Sequence, residues 1–148
     1  MKAYDFSLKD KNGVLHSLKD IKSDYIILYF YPKDSTPGCT IEANEFNNHL
    51  QDFKKLKATI IGISGGNEKT KTKFSAKYKL NILLLSDSEF KVSKKYKSYG
   101  EKTFMGVKFN GIFRNTFILD KNKNIIKTFE KVKAEGHALE VINFLKTL

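Results

Sequence analysis

The chain has 148 residues, of which 41% are hydrophobic and 29% charged, a composition that predicts one globular domain over residues 1–148. This composition excludes a wholly disordered chain, and a single cysteine excludes a disulfide scaffold. No apolar run approaches the roughly 20 residues that a membrane-spanning helix needs. The amino terminus has no apolar signal segment. We therefore expect a cytoplasmic protein without a membrane partner.

The charge is strongly basic, with 27 Lys and Arg against 16 Asp and Glu and a net charge of +11. A basic excess of this size can indicate nucleic-acid binding. Nucleic-acid readers, however, usually rely on arginine for bidentate contacts, and Arg114 is the only arginine in the chain. Scattered lysines predict a solvated surface and no specific nucleic-acid partner. They also make Arg114 conspicuous.

The first half of the chain alternates predicted strands and helices. An Asn12-Gly13 turn predicts a short hairpin around it. The apolar runs at 25–30 and 58–64 predict strands that are buried on both faces. Between them, the spacing of Ala43, Phe46, Leu50 and Phe53 predicts one face of a helix.

The second half continues the alternation. Residues 67–78 predict a polar, lysine-rich surface helix that packs Phe74 and Tyr78 inward. The remaining predicted elements are a strand at 82–85, a helix at 90–96, an antiparallel hairpin at 115–120 and 125–129, and a helix at 137–148. This order predicts an α/β layer structure with a mostly parallel centre and antiparallel additions.

Cys39 stands where the first buried strand runs into the first long helix. Thr36 followed by Pro37 predicts a helix start that places Cys39 in the first turn, where free N–H groups and the helix dipole favour a thiolate. A lone cysteine is more often a small buried hydrophobic residue. Pro32 and Gly38, which fix an irregular backbone beside it, favour the reactive interpretation.

The three histidines do not indicate a metal site. His16, His49 and His137 are far apart in sequence and carry no metal-ligand spacing. We interpret all three as polar surface residues. A Cys–His dyad stays open, although no motif supports one.

The pattern Pro32-x-x-x-Thr36-x-x-Cys39 resembles the active-site motif of the peroxiredoxins. The stretch YFYPKDSTPGCTIEA at 29–43 is similar to the bacterioferritin-comigratory protein, or peroxiredoxin Q, subfamily. NILLLSD at 81–87, with YGEKTFMG and GIFRNTFILD between 99 and 120, extends the resemblance over nearly the whole chain. The resemblance implies a thioredoxin-like fold, with a central mixed sheet flanked by helices, and a thiol-dependent peroxidase.

The resemblance also implies the catalytic residues. Cys39 matches the peroxidatic cysteine, and Thr36 matches the hydroxyl that hydrogen-bonds the peroxide. Pro32 matches the residue that shields the pocket, and Arg114 matches the arginine that faces the thiolate. Glu42 occupies a Glu or Gln position of the motif, where it would position Arg114. The implied peroxide-binding residues are Thr36, Gly38, Cys39, Glu42 and Arg114.

One position departs from the subfamily pattern. Many members have a resolving cysteine five residues after the peroxidatic one, and this chain has Asn44 there. We therefore expect the sulfenic acid on Cys39 to meet a second protein molecule or an external thiol, such as thioredoxin, glutaredoxin, glutathione or another small thiol. The resemblance implies no metal or cofactor and favours a monomer. A peroxide sensor that passes its oxidation to a partner protein by a mixed disulfide is the alternative.

Overall fold

The computed structural model describes residues 1–148, which form a seven-stranded mixed sheet, flanking helices and a separate two-stranded ribbon. The strand order in the sheet is β2-β1-β5-β4-β3-β8-β9. The strands are β1 (Ser7–Lys9), β2 (Leu15–Ser17), β3 (Tyr25–Phe30), β4 (Ala58–Ser64), β5 (Leu83–Ser86), β6 (Tyr99–Phe104), β7 (Val107–Ile112), β8 (Thr116–Asp120) and β9 (Ile125–Phe129). The helices are α1 (Pro37–Asn48), α2 (Leu50–Lys55), α3 (Glu68–Tyr78), α4 (Lys91–Lys95) and α5 (His137–Leu145), and a short 3-10 helix spans Leu18–Asp20.

The centre of the sheet is built from the continuously apolar strands. β3 pairs in parallel with β4, and β4 pairs in parallel with β5, whereas β8 pairs antiparallel with the other edge of β3. Such strands have neighbours on both faces, which explains why their sequences show no apolar-polar alternation. The predicted α/β architecture with a central mixed sheet is confirmed.

β3 divides the interior into two cores because its side chains alternate between the faces of the sheet. Ile27 and Tyr29 point toward a core that α1, α2, α3 and α5 complete. Ile26, Leu28 and Phe30 point toward the second core, which α4 covers. The strand thereby places α1, the next helix, against one particular face of the sheet.

α1 begins where the sequence predicts, with Thr36 as the N-cap residue and Pro37 as the first helical residue. The single helix expected from the apolar spacing is interrupted at His49, whose backbone (φ −101°, ψ 14°) leaves the helical region. α2 then starts as a separate helix. Phe46 and Phe53 still reach the same core, so the apolar spacing survives the break.

The helix predicted at 67–78 is present, but it is not wholly a surface helix. Asn67 and Thr70 form a reciprocal capping box at its start, with the side chain of each accepting the backbone N–H of the other. Phe74 is buried as predicted. Lys71 is also fully buried, so the prediction is wrong at that residue.

The β6–β7 ribbon was not predicted. Its strands pair only with each other, and residues 103–110 are exposed on both faces. A strand without a buried face has no need of the period-two alternation by which strands are recognised. None of the helices has the length and apolar character needed to cross a membrane.

Replacing Phe46 tests the packing of α1 on the sheet. Its ring stacks on Tyr29 with centroids 4.7 Å apart and meets His137 edge-on at 5.8 Å. We expect Phe46→Ala to lower the free energy of unfolding by about 3–5 kcal/mol, because it removes buried contacts and leaves a cavity. Urea denaturation of the reduced protein measures it. Phe104→Ala, at a 67% exposed position on the ribbon, is the control and should change little; equal losses would contradict this packing.

Candidate active site

Cys39 lies in the first turn of α1 and is 1% exposed. It belongs to the core between the sheet and α1, so burial alone agrees with a merely structural cysteine. Its sulfur, however, accepts a hydrogen bond from Nη2 of Arg114 at 3.5 Å. A small hydrophobic residue needs no such partner, and a thiolate does.

The pairing of β3 with β8 brings Arg114 to this position. Tyr29, near the end of β3, pairs with Thr116 at the start of β8. The loop that leads from β3 to Cys39 and the position of Arg114, two residues before β8, therefore lie at the same end of the sheet. The side chain of Arg114 is 17% exposed, so one part of it stays open to solvent.

Glu42 holds the other branch of the guanidinium. Nη1 of Arg114 donates to Oε1 of Glu42 at 2.8 Å, while Oε2 of Glu42 makes no hydrogen bond. Burial raises the pKa of Glu42 to about 7, against the attraction of Arg114, which lowers it. Burial also lowers the pKa of Arg114, but the charges of Cys39 and Glu42 outweigh it and raise that pKa.

Gly38 makes room for the guanidinium. A Cβ atom at this position would lie 3.0 Å from Nη2 of Arg114 and 3.7 Å from its Cζ. The predicted peroxide-binding residues therefore include Gly38, which has no side chain to occupy the space of the guanidinium. The structure brings Gly38, Cys39, Glu42 and Arg114 together.

Thr36 and Pro32 lie on the loop before α1 but are not hydrogen-bonded to Cys39. The hydroxyl of Thr36 does not cap the helix; it donates to the carbonyl oxygen of Lys33 at 2.8 Å. A hydroxyl has one proton and two lone pairs, so its oxygen stays free to accept a bond from a substrate O–H. Pro32 is half-buried at the start of the loop. Their roles with peroxide stay predictions.

The interpretation of all three histidines as surface residues is wrong for His137. His137 is buried at the start of α5, where its ring nitrogens hydrogen-bond to Thr116 Oγ1 at 2.7 Å and Glu140 Oε1 at 2.8 Å. Burial lowers its pKa. No histidine is hydrogen-bonded to Cys39, so the dyad left open by the sequence is not formed. No group of His, Cys, Asp and Glu is arranged to hold a metal ion.

Lys71 is the residue near this site that sequence reasoning missed. Its ammonium group donates a hydrogen bond at 2.8 Å to Asp34, which lies in the loop at 32–36. Its helical spacing could have revealed it, since Lys71, Phe74 and Tyr78 follow steps of three and four and share one helix face. The abundance of lysine hid this signal.

Comparison with known proteins finds relatives over most of the chain. The model of the AhpC/TSA family matches residues 1–128. The chain is 42% identical over 147 residues to the peroxiredoxin Bcp of Bacillus subtilis, covering 99% of this chain and 94% of that protein. It is 36% identical over 141 residues to the peroxiredoxin Bcp of Escherichia coli K12, covering 95% and 90%.

A solved structure extends the likeness to the fold. The bacterioferritin comigratory protein of Xanthomonas campestris superposes with a TM-score of 0.89 at 35% identity, over 96% of this chain and 90% of that one. This likeness confirms the predicted thioredoxin-like fold.

Replacing Glu42 by glutamine tests the buried carboxyl. Because the folded protein keeps the proton of Glu42 up to about pH 7, while the unfolded chain releases it at lower pH, this group stabilises the fold at acid pH and that contribution is lost as the pH rises through about 7. Glu42→Gln removes the titration. We therefore expect the stability of Glu42→Gln relative to wild type to increase as the pH rises from about 5 to about 8.

Urea denaturation of both proteins across this range measures the difference. The histidines are the same in both proteins, so their contributions cancel in the difference between the two free energies of unfolding. The control is Glu89→Gln, at an exposed carboxylate paired with Lys91, which should change the free energy of unfolding little. A flat difference for Glu42→Gln would contradict the raised pKa.

Proposed function

The chain belongs to the AhpC/TSA family, among its Bcp and PrxQ peroxiredoxins, and we propose that it is a one-cysteine thiol peroxidase in which Cys39 attacks the peroxide. Peroxiredoxins are thiol-dependent peroxidases, so the chain is an oxidoreductase. The observation that carries the proposal is the 3.5 Å contact between Nη2 of Arg114 and the sulfur of Cys39. The contact pairs the only cysteine with the only arginine.

The first step is a displacement at oxygen. The thiolate of Cys39 forms an S–O bond with one peroxide oxygen while the O–O bond breaks. The sulfur is oxidised by two electrons to the sulfenic acid, and the leaving oxygen takes a proton and departs as an alcohol or as water. Negative charge thus moves from the sulfur to the leaving oxygen, and the fixed donors of Arg114 are aimed at this path.

The guanidinium suits this charge movement for two reasons. It keeps its charge at every accessible pH, and its fork presents two donor branches in one plane. One branch is held by Glu42, which leaves the other directed at Cys39. The hydroxyl of Thr36 donates its hydrogen bond to the carbonyl oxygen of Lys33 and offers its lone pairs to the O–H of the peroxide.

The second step needs a thiol from outside the chain, because Cys39 is the only cysteine. The external thiolate attacks the sulfur of the sulfenic acid, a mixed disulfide forms, and hydroxide leaves as water. A second thiol then releases Cys39 and departs as the oxidised disulfide. The candidate reductants are thioredoxin, glutaredoxin with glutathione, and other small thiols. The alkyl peroxide reduction of the Xanthomonas relative supports organic hydroperoxides as substrates beside hydrogen peroxide.

Peroxide consumption tests the proposal. We expect the wild-type protein to consume hydrogen peroxide and an organic hydroperoxide through many turnovers with at least one of dithiothreitol, glutathione or a thioredoxin system. Cys39→Ser removes the nucleophile and should have no activity above the thiol background. Equal consumption by both proteins would refute the proposal. Oxidation of wild type once per molecule, without turnover, would instead indicate the sensor.

Replacing Arg114 by lysine tests the guanidinium geometry. Lysine keeps the positive charge but offers one compact donor on a flexible stem, so it cannot hold Glu42 and aim at Cys39 together. We expect the second-order rate of Cys39 oxidation by hydrogen peroxide to fall on the order of a hundredfold, about 3 kcal/mol. Stopped-flow measurement of the reduced protein gives the rate, and thermal melting checks the fold. A rate within about twofold of wild type would show that positive charge alone suffices.

A further inference from the structure

Lys71 is a fully buried lysine in a chain whose other lysines coat the surface. Its side chain is 0% exposed, and its ammonium group donates three hydrogen bonds. The acceptors are Asp34 Oδ2 at 2.8 Å, Ser64 Oγ at 2.8 Å and the carbonyl oxygen of Gly65 at 2.6 Å. An ammonium has three protons, so Lys71 uses every donor it has.

Asp34 is held as completely as Lys71. Its Oδ1 accepts from the hydroxyl of Tyr31 at 2.6 Å, and its Oδ2 accepts from Thr70 at 3.0 Å in addition to Lys71. The backbone of Gly66 closes over this cluster: a Cβ there would lie 2.5 Å from Oγ1 of Thr70 and 3.3 Å from Oδ2 of Asp34. The carboxylate therefore has one geometry available.

A buried ion pair is not needed for stability alone. Two charges lose their hydration on burial, and apolar pairs of similar size often stabilise a fold as well or better. Burial lowers the pKa of Lys71, and the neighbouring charge of Asp34 opposes that shift. Beyond stability, the pair connects β4 and α3 to the loop before α1 in one fixed orientation.

That loop leads directly from Asp34 to Thr36. Lys33, the residue before Asp34, provides the carbonyl oxygen that accepts the hydroxyl proton of Thr36. Ser35, the residue after it, has a φ of +64°, a conformation that non-glycine residues adopt only where surrounding contacts hold them. The carboxylate of Asp34 thus anchors the loop between the hydroxyl of Thr36 and the carbonyl to which it is bonded.

We propose that Lys71 and Asp34 are positioning residues for the peroxidase reaction, whose buried ion pair holds the 32–36 loop so that the hydroxyl of Thr36 turns its lone pairs toward the peroxide. The proposal rests on the proposed function, because it adds positioning residues to the same site. It predicts that the pair acts through Thr36 and not through the reactivity of Cys39 itself. An error of about 1 Å in such positioning can cost on the order of a hundredfold in rate.

The test compares two reactions of Cys39 in the same variants. Asp34→Asn and Lys71→Met each break the ion pair, and Asp34→Leu with Lys71→Met removes both charges, so that no unpaired charge is left buried if a single variant fails to fold. The control is Lys91→Met, which breaks an exposed ion pair with Glu89. Thermal melting selects the variants that are folded at the assay temperature.

Stopped-flow kinetics then give the second-order rates with hydrogen peroxide and with iodoacetamide. We expect the folded Asp34 and Lys71 variants to lose about tenfold to a hundredfold with hydrogen peroxide. Alkylation by iodoacetamide uses the thiolate but not the hydroxyl of Thr36, so it should be unchanged or faster. Lys91→Met should match wild type in both reactions.

A double-mutant cycle with Thr36→Val identifies the route of the effect. If Asp34 acts through Thr36, Asp34→Asn should cost little further rate in the Thr36→Val background. Peroxide rates within about twofold of wild type, parallel losses in both reactions, or additive losses in the cycle would each overturn the proposal. Slow oxidation of the wild-type protein would refute the proposed function itself.

Discussion

The contact of one guanidinium with both a carboxylate and a thiol sulfur is the interaction on which this site depends. Arg114 reaches Glu42 at 2.8 Å and Cys39 at 3.5 Å, although it is more than 70 residues from each in the chain. The geometry depends on the antiparallel pairing of β8 with β3 and on the start of α1 at Pro37, and the missing side chain of Gly38 leaves room for the guanidinium. The sheet therefore serves the chemistry by bringing distant segments to one edge.

Two salt bridges with buried carboxylates flank the start of α1. Glu42 lies inside the protein with Arg114 on one side of the site, and Asp34 lies inside with Lys71 on the other. Other ion pairs of the chain are exposed or involve histidine. Buried ion pairs cost desolvation free energy and favour one geometry over others. Their placement beside Cys39 and Thr36 suits a site in which the orientation of the hydrogen-bonding groups matters more than the strength of any single contact.

The sequence predicted the central strands and resembled the family motif because both are local patterns. Continuous apolar runs mark β3 and β4, and the residues from Pro32 to Cys39 stand in one short segment. The sequence did not predict the burial of Lys71 and His137, each of which has one hydrogen-bond partner distant in sequence, Asp34 and Thr116 respectively. The break in the helix at His49 was also not predicted. The β6–β7 ribbon was not predicted for a different reason. It has few buried residues, so almost no pattern of burial marks its strands in the sequence.

The separation of Cys39 from Arg114 by 75 residues also orders events during synthesis. At roughly 5–20 residues per second, translation adds the arginine roughly 4–15 seconds after the cysteine. Until β8 is made and pairs with β3, the nascent chain carries a thiol without its guanidinium. The peroxide reactivity that we propose for Cys39, which depends on Arg114, is therefore acquired only once β8 has paired with β3.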